Sequence, residues 1–177
     1  SPDTDYGRSK LEAEKRVLEN DSFPSLILRP TGVYGPREKD YFTLIQAVQR
    51  GISVSVGARP QMLDFLYVDD LVQACFKALE SGLQHKIWML SDGSHYSSNG
   101  FVGLVKETLG RKHLLKLSIP LPVLWLVSRL GGFYGQAARK AVLFNPDKYR
   151  ILKQRNWTAE INAARNELDF RPGTGLG

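Results

Sequence analysis

Only one cysteine, Cys75, occurs in the 177 residues, which excludes an intrachain disulfide framework and points to a reducing compartment such as the cytoplasm. Its neighbours Val72, Ala74 and Phe76 mark it as a buried small hydrophobe rather than a nucleophile. Histidine is also scarce: His85, His95 and His113 share no metal-ligand spacing and have no second cysteine to join them, so no metal is expected. Long apolar runs are missing. The longest, Ile119 to Val127, is broken by Pro120 and Pro122 and closed by Arg129, well short of the roughly 20 residues a bilayer span needs. It reads first as core, second as a lid over an apolar substrate and third as an interfacial anchor. Internal repeats and low-complexity linkers are lacking too, so residues 1–177 read as one compact unit.

What is present is the composition of a globular domain, with 42% hydrophobic residues and a net charge of +6. The charge is mildly concentrated at Arg139, Lys140, Lys148, Arg150, Lys153 and Arg155, where a solvated basic surface is the favoured reading over an anionic partner.

The pattern alternates helix and strand. Lys10 to Glu19 is rich in helix formers with a Glu12/Arg16 pair, and Ser25 to Leu28 is an apolar run halted by Pro30, as in a strand buried on both faces. Asp40 can cap a helix bearing Tyr41, Leu44, Ile45 and Val48 and ending at Gly51. A second strand pair is expected over Ser53–Val56 and Phe65–Val68. Asp69 or Asp70 then caps a helix whose stripe is Leu71, Ala74, Cys75, Ala78 and Leu79. A strand at Ile87–Leu90 and a helix carrying Phe101, Leu104, Val105 and Thr108 before Gly110 follow. From Ile119 to Gly135 the Pro and Gly punctuation suggests a substrate-side insertion, and Asn156 to Phe170 a short closing helix.

Near the start, Tyr6-Gly7-Arg8-Ser9-Lys10 sets a phenol and an ammonium four positions apart, on one face if the segment is helical. A phenol ordinarily titrates near about 10, so proton transfer at neutral pH needs a nearby cation to favour its anion. The spacing alone is not specific, since Tyr149 and Lys153 share it. Two further motifs follow in order: Leu28-Arg29-Pro30-Thr31-Gly32-Val33-Tyr34-Gly35-Pro36 and Asp64-Phe65-Leu66-Tyr67-Val68-Asp69-Asp70.

Together the three resemble the extended short-chain dehydrogenase/reductases, in particular the NAD-dependent epimerase/dehydratase branch. The resemblance implies an α/β fold, the C-terminal part of a Rossmann-like doubly wound sheet with small substrate-side elements. It implies that Tyr6 is the general acid/base at a substrate hydroxyl, that Lys10 holds the nicotinamide ribose, and that Pro30, Thr31, Gly32 and Val33 form the loop after the strand and meet the nicotinamide of NAD or NADP. Asp69 and Asp70 are expected to be structural. The branch commonly places an arginine where this chain has Leu63, and leucine cannot bond a diphosphate. Unless Arg37 or Arg59 binds substrate in its place, a sugar-like or less polar hydroxyl or keto compound is favoured over a standard nucleotide sugar.

The branch's glycine-rich dinucleotide loop and its catalytic Ser/Thr have no counterpart here. Gly131-Gly132-Phe133-Tyr134-Gly135 lacks the spacing and a preceding strand, and Gly173-Thr174-Gly175-Leu176-Gly177 opens no helix. The expectation is a C-terminal portion of a longer enzyme, inactive and weak in NAD(P) binding by itself, with a strand edge on which a second copy can pair. Two other classes stay open. One is a nucleic-acid-binding module using the basic 139–155 stretch with Tyr149 and Trp157; the other is a non-catalytic assembly subunit.

Overall fold

The computed structural model describes residues 3–138 and 145–176. Thr4 opens α1 (Asp5–Leu18), its hydroxyl accepting from the Gly7 N–H at 3.0 Å. The helix therefore starts earlier than Lys10, and Tyr6 lies in its first turn. The elements that follow are β1 (Leu26–Pro30), β2 (Gly32–Tyr34), α2 (Asp40–Gln49), β3 (Ile52–Val56), β4 (Met62–Leu63), β5 (Phe65–Tyr67) and α3 (Val68–Glu80). The second half runs through β6 (Lys86–Leu90), β7 (Tyr96–Ser97), α4 (Ser98–Thr108), β8 (Leu115–Ile119), α5 (Leu121–Ala138), α6 (Pro146–Lys153), β9 (Asn156–Trp157) and α7 (Asn162–Glu167).

Three parallel strand pairs form the frame: β1 with β6, β2 with β5, and β3 with β8. The strands over 52–56 and 65–67 therefore join different partners. A small sheet, β7-β4-β9, is antiparallel on one side of β4 and parallel on the other. β1 is half-buried rather than buried on both faces, because β6 is its only ladder partner among the described residues.

The main core gathers Leu66, Trp88, Leu90, Ile161, Leu168 and Phe170 around Ala74 and Ala78 of α3. Asp70, Ala74 and Ala78 recur every fourth residue, so the buried stripe of α3 is narrower than its apolar content. Cys75 and Leu79 point outward with Val72 and Phe76, which corrects the buried reading of Cys75. Gly51 and Gly110 end α2 and α4 with φ of +83° and +62°, the left-handed turn for which glycine is suited. At the start of α2 the Glu38 carboxylate accepts from the N–H groups of Tyr41 (2.7 Å) and Phe42 (3.3 Å); the side chain of Asp40, the expected cap, lies outside the described residues.

The segment expected to be an irregular insertion is largely one helix, α5. Pro122 sits in its first turn, where no intrahelical N–H bond is required, so the proline does not break it. Along it Leu124 and Ser128 are the buried residues among those described. α6 packs on α5, and its Asn145 cap accepts from the Lys148 N–H at 2.8 Å.

Candidate functional site

Tyr6 and Lys10 lie one turn apart on α1, with the Lys10 ammonium 5.5 Å from the centre of the Tyr6 ring. Both are exposed, Tyr6 by 69%. α1 buries no residue; what ties it to the frame is Glu14, whose carboxylate accepts from Arg29 Nε at 3.0 and 3.1 Å and from Arg29 Nη2. That hydrogen bond and the carboxylate charge raise the Arg29 pKa against an opposing effect of burial. Arg29 is the last residue but one of β1, so this contact joins Glu14 of α1 to the carboxyl end of that strand. In open α/β sheets ligands bind outside the carboxyl ends of the strands.

Thr31 stands at that end, its N–H bonded to the Leu90 carbonyl at 2.9 Å. Gly32 and Val33, expected in a loop, belong to β2, and the Gly32 N–H goes to the Asp64 carbonyl at 3.3 Å. Gly32 is required by packing, since a side chain there would run into the Tyr41 hydroxyl. The Thr31 Oγ1 is buried with no partner, which leaves it available to a polar ligand at the strand end. No hydrogen bond or ion pair joins Tyr6 or Lys10 to residues 30–33 among the described residues.

Tyr34 is fixed in place. Burial first, then the charges of Asp92 and Asp70 and the neighbouring tyrosines, push its pKa up to about 12. It remains a phenol that donates to the Gly175 carbonyl at 3.1 Å. Asp70, read from sequence as a helix cap, is buried and accepts from the N–H groups of Gly173 (2.9 Å) and Thr174 (3.0 Å). It clamps the 173–176 tail and makes no side-chain cap; Asp69 is exposed in the first turn, where acidic charge suits the helix dipole.

Asp64 begins the third motif with a fully buried side chain. One oxygen lies 2.7 Å from His95 Nδ1 and the other accepts from the Ala159 N–H at 2.8 Å, so it joins β5 to the β7 and α7 approaches. The hydrogen bond to Asp64, then its charge, raises the His95 pKa. Folding therefore gains from this pair fully below the unfolded His value of about 6.5, and loses that gain as pH rises through the higher folded value. Thermal melts between about pH 5.5 and 8.5 should show this loss in the parent chain and not in His95→Gln. Parallel curves for the two would remove the role assigned to the pair.

Beside α1 lies a cleft of about 860 Å³ lined by Arg8, Arg129, Arg150, Lys153 and Arg155, with Asp3 as its one carboxylate. Trp125 and Tyr149 supply aromatic walls. Arg8 is paired with Asp5, and Arg150 donates to Asp147 at 2.9 Å. Arg155 spends Nη1 on the carbonyls of Val56 and Arg59, while its Nη2 and the Ser128 hydroxyl, both lining residues' groups, are buried without partners. Such a cleft suits an anion with an aromatic or flat portion. Arg37 and Arg59 do not line it: Arg37 is exposed at a φ of +72°, and Arg59 contributes its carbonyl to Arg155. Leu63 lies in β4, in register with Tyr96 and Trp157. Of the basic stretch, Arg139 and Lys140 lie outside the described residues; the residues it contributes to the cleft come from α6 and the turn after it.

The decisive comparison is with family models, where residues 1–90 match the NAD dependent epimerase/dehydratase family. The chain belongs to that family. A UDP-glucose 4-epimerase of Vibrio cholerae is 29% identical over 145 residues, covering 77% of this chain and 42% of the relative. A dTDP-glucose 4,6-dehydratase from Bacillus anthracis, solved in complex with NAD, superposes with a TM-score of 0.73 at 16% identity, covering 99% of this chain and 49% of the other. RMD from Pseudomonas aeruginosa, complexed with NADPH, gives a TM-score of 0.68 at 18% identity, with coverage of 99% and 53%. The fold is thus a part of the Rossmann-type epimerase/dehydratase architecture, and the chain spans about half the length of these structures.

Proposed function

We propose that this chain is the substrate-side portion of an NAD(P)-dependent oxidoreductase or epimerase acting at a hydroxyl or keto carbon of a sugar-like or less polar substrate. The observation that carries this reading is the Lys10 ammonium at 5.5 Å from the Tyr6 ring, on the helix that Glu14 joins to Arg29 of β1. Tyr6 would take the proton of a substrate hydroxyl or return it, with Lys10 one helical turn away. The cofactor would exchange hydride with the same carbon. Lys10 and the orphaned Thr31 Oγ1 would hold its nicotinamide end, with Pro30 and Val33 as neighbours. The described residues contain no glycine turn opening a helix of the kind that cradles a pyrophosphate, so these 177 residues alone are proposed not to turn over.

The cleft beside α1 supports a substrate with an anionic part, received by Lys153, Arg129 and Arg155 in place of Arg37 and Arg59. Leu63 offers that part nothing, in line with a substrate outside the usual nucleotide-sugar mode.

The pair is tested in the full-length enzyme by Lys10→Met. Losing the ammonium should lower kcat/KM by about 10²-fold or more, the range of a group that acts in the proton transfer, while the thermal melt stays that of the parent. A kcat/KM within a few-fold of the parent would separate Lys10 from the chemistry and end this reading.

A further inference from the structure

We propose that α5 and the β3–β8 ribbon that leads into it dock on an anionic lipid bilayer surface. The inner side of α5 is protein-facing through Leu124 and Ser128, and its opposite side carries Leu126, Leu130, Phe133 and Tyr134 into solvent. Their exposures of 53%, 61%, 75% and 61% are those of side chains with no cover. Val123 and Val127 border the same side, one turn apart, giving a continuous apolar strip on a helix with a single charged residue, Arg129. The ribbon that precedes it in the chain also exposes apolar residues: Leu117, its register partner Val54, and Leu115.

Charge identifies the occupant. From Thr108 to Pro146 there is no Asp or Glu, while Lys or Arg stands at 111, 112, 116, 129, 139 and 140. The chain has 24 Lys and Arg against 18 Asp and Glu, so this one segment holds the whole net charge of +6 and the remainder is balanced, eighteen against eighteen. Arg111, Lys112 and Lys116 are all exposed. An apolar strip in a chain segment whose charged residues are all basic matches acyl chains beneath anionic headgroups. A second protein copy would bring the same positive charge against itself, and a nucleic acid would leave the apolar strip uncovered. β8, which leads into α5, pairs with β3 and not with β1 or β6. No helix among the described residues is long and apolar enough to cross a membrane, so α5 would lie in the interface, not through it.

The test is flotation of the full chain with vesicles of phosphatidylcholine alone or mixed equally with phosphatidylglycerol. Binding is expected to the mixed vesicles and to be roughly tenfold weaker at high salt or to phosphatidylcholine. Leu126→Asp with Leu130→Asp should lower the bound fraction on mixed vesicles about tenfold, as should Lys112→Glu with Lys116→Glu. Phe133→Ala, which adds no charge, should weaken it by a smaller factor and guards against misfolding, checked by circular dichroism. Failure to float with mixed vesicles would overturn the proposal, as would binding that ignores the α5 substitutions. So would a lipid-free dimer dissolved by Leu126→Asp, which gives the face to a second copy, or oligonucleotide binding without vesicle binding.

Discussion

Tyr6→Phe is expected to lower kcat of the full-length enzyme by about 10² to 10⁴, the range that a positioned acid/base contributes. The phenyl ring and its contact with Lys10 are retained, so the change removes one proton-carrying oxygen and little else. That hydroxyl makes no described hydrogen bond and the residue is 69% exposed, so stability should move by no more than about 0.5 kcal/mol. Steady-state kinetics with a thermal melt of the same preparation separates chemistry from folding. Cofactor affinity should stay nearly constant, because the proposed ribose contact belongs to Lys10. If turnover stays within a few-fold of the parent, Tyr6 is not the proton carrier, and the non-catalytic assembly reading takes its place.

Phe65→Ala should have the largest effect on the fold. Phe65 is 0% exposed and stands where the second and third motifs meet, its ring centre 6.2 Å from that of Tyr34, 5.1 Å from Tyr41, 5.7 Å from Tyr96 and 5.0 Å from Phe101. Removing a buried aromatic ring with so many partners costs about 3 to 5 kcal/mol, part lost transfer energy and part cavity. For a chain of this length that corresponds to a fall in Tm on the order of 10 °C. Phe65→Leu, which refills most of the volume, should recover much of it. A Tm within two degrees or so of the parent for Phe65→Ala would mean that the ring cluster is not the joint between β2, β5 and α4 that its geometry makes it.

Residues whose role depends on local spacing are legible in the amino-acid sequence. The Tyr6 and Lys10 pair needs only one helical turn, which Thr4 and the helix formers after it supply. Gly51 and Gly110 announce helix ends because left-handed backbone is a local property. Local patterns mislead where a long-range partner decides. Cys75 has apolar neighbours in sequence, yet the packing stripe of α3 passes through Asp70, Ala74 and Ala78 and leaves it outside. Asp70 resembles a cap, but its partners are the N–H groups of Gly173 and Thr174, about a hundred residues later. Pro122 and the glycines of 131–135 have the character of helix breakers; proline in a first turn is tolerated, and packing against α6 outweighs glycine propensity. Arg37 and Arg59, near the motifs, are the substrate cations that sequence proximity suggests, whereas the cleft draws Arg8, Arg129, Lys153 and Arg155 from separate stretches of the chain.

By itself the sequence determined the family, the α/β alternation and the phenol and ammonium pair, because motifs and helix periodicity are encoded over a few neighbouring residues. Only the tertiary structure decided that Asp64 and Asp70 are buried acceptors for distant groups, that the basic residues converge on one cleft, and that α5 keeps an apolar side in solvent. Burial and convergence are properties of pairs far apart in the chain, and no local pattern contains them.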